Sequence, residues 1–124
     1  MSLPKPPVYL DVWLIHLPLP GWVSLIQRLS GTVLFMLLPL MVYLFHLSLT
    51  HSGYIQLLYW RQQFFFKVGL IAIAWMYLQH FFAGLRFLLL DVHVGSSLRS
   101  ARLLSAITFL LSGVSSLIIV ENLW

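Results

Sequence analysis

Polar side chains nearly vanish from three stretches of the chain, at 29–47 (LSGTVLFMLLPLMVYLFHL), 68–90 (VGLIAIAWMYLQHFFAGLRFLLL) and 103–120 (LLSAITFLLSGVSSLIIV). A helix needs about 20 mostly apolar residues to cross the hydrocarbon core of a bilayer, and each run is close to that length. The pattern predicts three transmembrane helices, over about 21–49, 66–91 and 102–122. Aromatic and basic residues stand at their ends, where interfacial anchors belong: Trp22 and Arg28, Trp60 with Arg61 and Lys67, Arg99, Arg102 and Trp124. Between the first two runs, 48–63 reads as a loop with some interfacial character. Ahead of them, residues 1–20 hold Pro4, Pro6, Pro7, Pro18 and Pro20 and read as a surface arm, because proline lacks a backbone donor and favours extended chain. Pro39 falls inside the first run and is expected to kink it.

Composition agrees. Only 8% of the 124 residues are charged and 60% are hydrophobic, too few polar groups to cover a soluble domain. The fold class is therefore an all-α membrane protein, one three-helix bundle over 21–124. An odd number of spans puts the termini on opposite sides. Lys5, Arg28, Arg99 and Arg102 fall on one side and only Arg61 and Lys67 on the other. The positive-inside rule assigns the N-terminus and the 91–102 loop to the cytoplasm, or to the matrix in an organelle. The net charge of +4 comes from these scattered flanks and forms no basic patch for nucleic acid. There is no cysteine, so a metal here must rely on histidine or oxygen ligands.

Candidate chemistry is sparse. His16 lies in the arm, His51 and His93 in loops, and His46 near the outer end of the first span; only His80 lies well inside one. A deep ionisable side chain is costly and marks function by default. Two readings are open: a neutral imidazole bonded to a neighbouring helix, or an axial ligand to haem iron. With Leu29 and Leu90 taken as level, His46 and His80 differ in depth by about 10 Å, which makes His46 a poor second ligand. Gly84, Phe87 and Asp91 continue the His80 stripe, and glycine there admits a flat macrocycle or another helix. Asp91 closes the second span against the helix dipole and calls for a basic partner such as Arg86, Arg99, Arg102 or a residue of another subunit. In SLIQRLSG (24–31), Ser24, Arg28 and Gly31 share a face. A hydroxyl beside a cation suits a quinone headgroup, and equally suits a helix cap beside a snorkelling anchor.

Taken together, SLIQRLSG and HFFAGLRFLLLD (80–91), in this order and topology, resemble the S-x-x-H-R-x-S-G and H-x-x-x-G-[IL]-R-H-x-x-x-D patterns of the cytochrome b556 subunits of succinate dehydrogenase. The likeness covers essentially the whole chain. It implies that His80 is an axial ligand of haem b, with the other ligand from a second membrane-anchor subunit, and that Ser24 and Arg28 line a ubiquinone pocket facing an iron–sulfur subunit fed by a flavoprotein. It implies further a bacterial inner membrane and an electron-transfer subunit with no catalysis of its own. Gln27 and Phe87 depart from the pattern, each replacing a histidine that in the family approaches the haem propionates. The corresponding anchor of a fumarate reductase and a cofactor-free assembly protein are the alternatives.

Overall fold

The computed structural model describes residues 16–123. They form four helices: α1 (Leu19–Ser48), α2 (His51–Gln62), α3 (Phe64–Asp91) and α4 (Leu98–Leu123). α1, α3 and α4 are long and apolar enough to cross a membrane, so this is an all-α membrane protein with three spans. α1 opens with Pro20 in its first turn, where a missing N–H costs nothing, and runs on through Pro39 without a break in its helix assignment. It starts ahead of Gly21, so the last two residues of the expected arm are helical. Residues 1–15 of that arm lie outside the described residues.

The 48–63 segment is a helix and not the loop expected of it. Thr50 stops α1 and starts α2: its extended backbone turns the chain, and its Oγ1 accepts from Gly53 N at 3.2 Å. Gly53 is buried because α2 folds back against α1, and a Cβ there would collide with the Leu47 carbonyl. A single extended residue, Gln63, then separates α2 from α3, and Trp60 and Phe66 pack across the corner with ring centroids 6.0 Å apart.

At the opposite end, α3 closes through His93, whose φ of 64° puts it in the left-handed region. Val94 N donates to Leu89 O and His93 N to Leu90 O, both at 2.9 Å, which satisfies carbonyls that the helix end would orphan. Ser97 caps α4 by accepting from Ser100 N at 3.2 Å. α4 therefore begins at Leu98, and Arg99 and Arg102 lie on its first turns instead of in the expected loop.

The packing inverts the pattern of a soluble protein. Among the described residues the buried hydrophobics are Val23 and Ala83, whereas Ser30, Gln79, Arg86, Ser105, Thr108 and Ser112 are buried and polar. Large apolar side chains face outward, Phe35 at 76% and Phe65 at 86% exposure. Lipid is as apolar as leucine, so in a bilayer apolar residues gain little by leaving the surface, and association is driven by close packing and polar bonds. α3 supplies Gln79, Ala83 and Arg86 on one stripe, and α4 answers with Ser105, Thr108 and Ser112. The Ser112 hydroxyl donates to Gln79 Oε1 at 2.6 Å. That pairing fixes an antiparallel register in which Arg86 and Ser105, each seven residues away from it, come level.

Ser112→Ala strands the Gln79 amide oxygen and should lower stability by about 1 kcal/mol in thermal unfolding of detergent-solubilised protein. Adding Gln79→Leu removes the stranded group and should recover most of that loss, since replacing both partners of a buried bond is nearly neutral.

Candidate functional site

His80 is half-buried on α3 and points at α1. Its Nδ1 lies 3.1 Å from the Gln27 backbone carbonyl and 3.3 Å from Ser30 Oγ, and Ser30 Oγ donates to the same carbonyl at 3.1 Å. A carbonyl can only accept. With the Ser30 hydrogen already directed to it, the favourable arrangement puts the imidazole proton on Nδ1. In the neutral ring that leaves the lone pair on Nε2, which has no hydrogen bond among the described residues. A histidine that ligates a metal is held in this way, with its second nitrogen donating to a backbone carbonyl that sets tautomer and ring orientation.

Gly31 makes the approach possible. A Cβ at this position would lie 2.8 Å from His80 Cε1 and 3.3 Å from Nδ1, closer than side chains tolerate. Gly84 imposes no such demand: a Cβ there would meet Gln27 Nε2 at 3.7 Å, an ordinary contact. Gln27 stands opposite Gly84 and Gly31 opposite His80, so the two sequence motifs are the two sides of one antiparallel helix contact.

This register corrects the depth comparison. His80 is level with Gly31, and His46, 15 residues further along α1, stands about 22 Å away along the axis, about twice the expected offset. Leu29 and Leu90 are not level, because Leu29 lies two residues from Gly31 and Leu90 ten residues from His80. His46 is exposed on the last turn of α1, and His16, His51 and His93 are exposed as well.

From His80 a groove of about 730 Å³ opens between α1 and α3, walled by Leu34, Phe35, Leu38, Ile73 and Tyr77, with Gly31 and His80 at one end. It is apolar apart from the imidazole, concave and large enough for a planar macrocycle. Among the described residues no three His, Asp or Glu side chains converge on a common point. A metal at His80 would need its remaining ligands from a macrocycle and a second chain.

Ser24 and Arg28 lie on α1 toward the end that carries Asp91 and Arg99. Ser24 is half-buried, and Arg28 is exposed. Ser24 lies two turns, about 10 Å, below Gly31 on the same stripe, level with Phe87 across the contact. Asp91 is exposed, and no basic residue occupies the last turn of α3. Arg86 does not serve as its partner: it is turned inward and 4% exposed, with its guanidinium carbon 5.4 Å from the centre of the Phe87 ring.

Sequence reasoning passed over Ser30 and Gln79, and weighed Arg86 only as a partner for Asp91. Ser30 and Gly31 stood inside a quoted motif, and Gln79 precedes His80, but only the interhelical register shows what they touch.

Two comparisons bear on this geometry. Residues 2–119 match the family model described as succinate dehydrogenase/fumarate reductase transmembrane subunit. The chain is 32% identical over 125 residues to the succinate dehydrogenase cytochrome b556 subunit of Coxiella burnetii, an alignment that covers 97% of this chain and 96% of the relative. Three spans and two motifs that meet at a half-buried histidine stand in a chain similar to these proteins over nearly its full length. It belongs to the family of succinate dehydrogenase/fumarate reductase transmembrane subunits.

Proposed function

We propose that the chain is the electron-transfer anchor of a succinate:ubiquinone oxidoreductase, holding haem b through His80 and helping to bind ubiquinone through Ser24 and Arg28. The observation that carries this reading is the state of His80, which lines an apolar groove: Nδ1 is held by the Gln27 carbonyl, and Nε2 has no hydrogen bond among the described residues. A structural histidine in a bundle gains most by bonding at both nitrogens. Haem b supplies a one-electron store whose potential is set by axial ligands and surroundings. The chain's part is to fix the imidazole, leave its lone pair available and exclude water from one side of the groove.

The other wall and the second axial ligand come from a second membrane-anchor subunit, in line with the relative's name, cytochrome b556 subunit. The end with Arg28, Arg99 and Arg102 faces the cytoplasm of a bacterium by the positive-inside rule, so the N-terminus is cytoplasmic and the protein sits in the inner membrane. An iron–sulfur subunit docks on that side and passes on electrons from a flavoprotein that oxidises succinate. Asp91, exposed at this end, is available to a basic residue of a neighbouring subunit, and Gly84 serves close helix packing. Arg28 offers a planar fork of donors, and Ser24 a hydroxyl, to a quinone oxygen that gains negative charge on reduction. Fumarate reduction by quinol uses the same parts in reverse; the likeness to a succinate dehydrogenase subunit favours the oxidative direction.

His80→Ala should abolish or strongly shift the reduced-minus-oxidised b-type spectrum of the assembled complex, and His46→Ala should leave it unchanged. Wild-type spectra from both variants would refute the ligand assignment.

Arg28→Lys and Ser24→Ala should each lower succinate-to-quinone turnover by about 100-fold, the usual effect of losing one preorganised donor to a developing charge. Reduction of a dye by the soluble subunits should persist. Equal loss of both activities would indicate failed assembly, and full retention of both would reduce Ser24 and Arg28 to a cap and an anchor.

A further inference from the structure

Among the described residues Arg86 is a cation without a counter-ion. It is 4% exposed, and its Nε is buried with no hydrogen-bond partner. The whole chain has three acidic residues, Asp11, Asp91 and Glu121. Asp11 lies outside the described residues; Asp91 and Glu121 are exposed at helix ends, and neither faces the interior where Arg86 sits. What surrounds Arg86 is dipolar. Ser105 and Thr108 face the same interior, but their hydroxyl hydrogens are committed to Ala101 O at 2.7 Å and Leu104 O at 2.8 Å, so they offer only oxygen lone pairs. The π face of Phe87 is the remaining described contact. Dipoles solvate a charge without neutralising it.

A charge so placed acts at a distance. Arg86 lies six residues beyond His80, about 9 Å along the helix axis. In water at physiological salt an interaction over that span is largely screened, but no mobile ions enter the packed interior of a bundle. Neither the arginine nor a charge change at His80 is shielded from the other.

We propose that Arg86 is an electrostatic tuning residue: an uncompensated internal cation that raises the reduction potential of the redox centre at His80 without touching it. The proposal rests on the haem reading of His80. Adding an electron there lowers the local charge by one, and a fixed positive charge nearby in low dielectric stabilises the reduced form. Removing an unpaired buried charge also removes its desolvation cost, so an apolar residue of similar length should be tolerated by the fold.

The experiment is a redox titration of the b-type absorption band in the assembled complex, for wild type, Arg86→Met and Arg86→Lys. Arg86→Met should assemble, keep its haem and shift the oxidised-to-reduced ratio at a fixed potential about tenfold toward the oxidised form. Arg86→Lys, with the charge retained, should remain within about threefold of wild type. An unchanged midpoint in Arg86→Met, with a normal band, overturns this proposal and leaves the haem reading intact. Failure of Arg86→Met to assemble overturns it too, because loss of an unpaired buried charge should be tolerated by the fold. Loss of the band from an assembled Arg86→Met complex would mean that the arginine holds the haem by contact, again against the proposal. Absence of a b-type band from the wild-type complex would sink both readings together.

Discussion

Where α1 crosses α3, the Gln27 carbonyl meets the His80 imidazole, and much of the structure follows from that crossing. The carbonyl belongs to a helix, so it already has a backbone donor four residues on, and its remaining acceptor capacity is shared by the histidine and the Ser30 hydroxyl. For the ring to come so close, residue 31 must lack a side chain. At residue 84, where the Gln27 side chain lies against α3, a Cβ would make only an ordinary contact. The bond thus depends on a small residue at 31, helps to fix the register of two helices and sets the tautomer of a half-buried imidazole. Nε2 keeps its lone pair as a consequence, and the imidazole stands at one end of the groove.

The remaining contacts obey the solvent. In a bilayer the apolar side chains lose little by facing outward, so the interior is left to groups that hold one another by hydrogen bonds or by fitting closely. Ser112 on Gln79, and Ser105 and Thr108 on their own backbone, are bonds of this kind. Such an interior is polar without being charged, which is why one arginine within it carries so far. The proposed quinone residues share the α1 stripe that leads to Gly31, which faces the proposed haem ligand on α3, and Arg86 lies further along α3 toward the same end. Electron entry at Ser24 and Arg28, storage at His80 and the field of Arg86 would occupy about three turns of helix.

How far the sequence could be read follows from the same physics. Long apolar runs declare membrane spans, and α1, α3 and α4 were legible for that reason. α2 was not: Tyr54, Leu57, Leu58 and Trp60 alternate with Ser52, Gln56 and Arg61 in no clear stripe, and the Thr50 cap that settles it is one hydroxyl among many. Hydrophobicity also says little about which side of a span is buried when lipid and core are equally apolar. Gln79 and Arg86 therefore gave no sign of facing inward. His80, Ser24 and Arg28 stood out as polar residues at defined depths and spacings. Ser30 and Gly31 stood beside them, but their role depends on which residue of another helix lies opposite. That register also set the true distance between His46 and His80, which equal boundaries at Leu29 and Leu90 had understated.

The central claim is that the two motifs meet so as to leave His80 bonded on one nitrogen and open on the other. Its most direct test is the reduced-minus-oxidised spectrum of a complex carrying Gly31→Ala. Residue 31 touches neither iron nor quinone in this account, and alanine suits a helix better than glycine does. The added methyl nonetheless falls 2.8 Å from His80 Cε1 and must push the ring off the Gln27 carbonyl. The account predicts an assembled complex whose b-type band is lost or clearly shifted. An unaltered band in an assembled Gly31→Ala complex would contradict it.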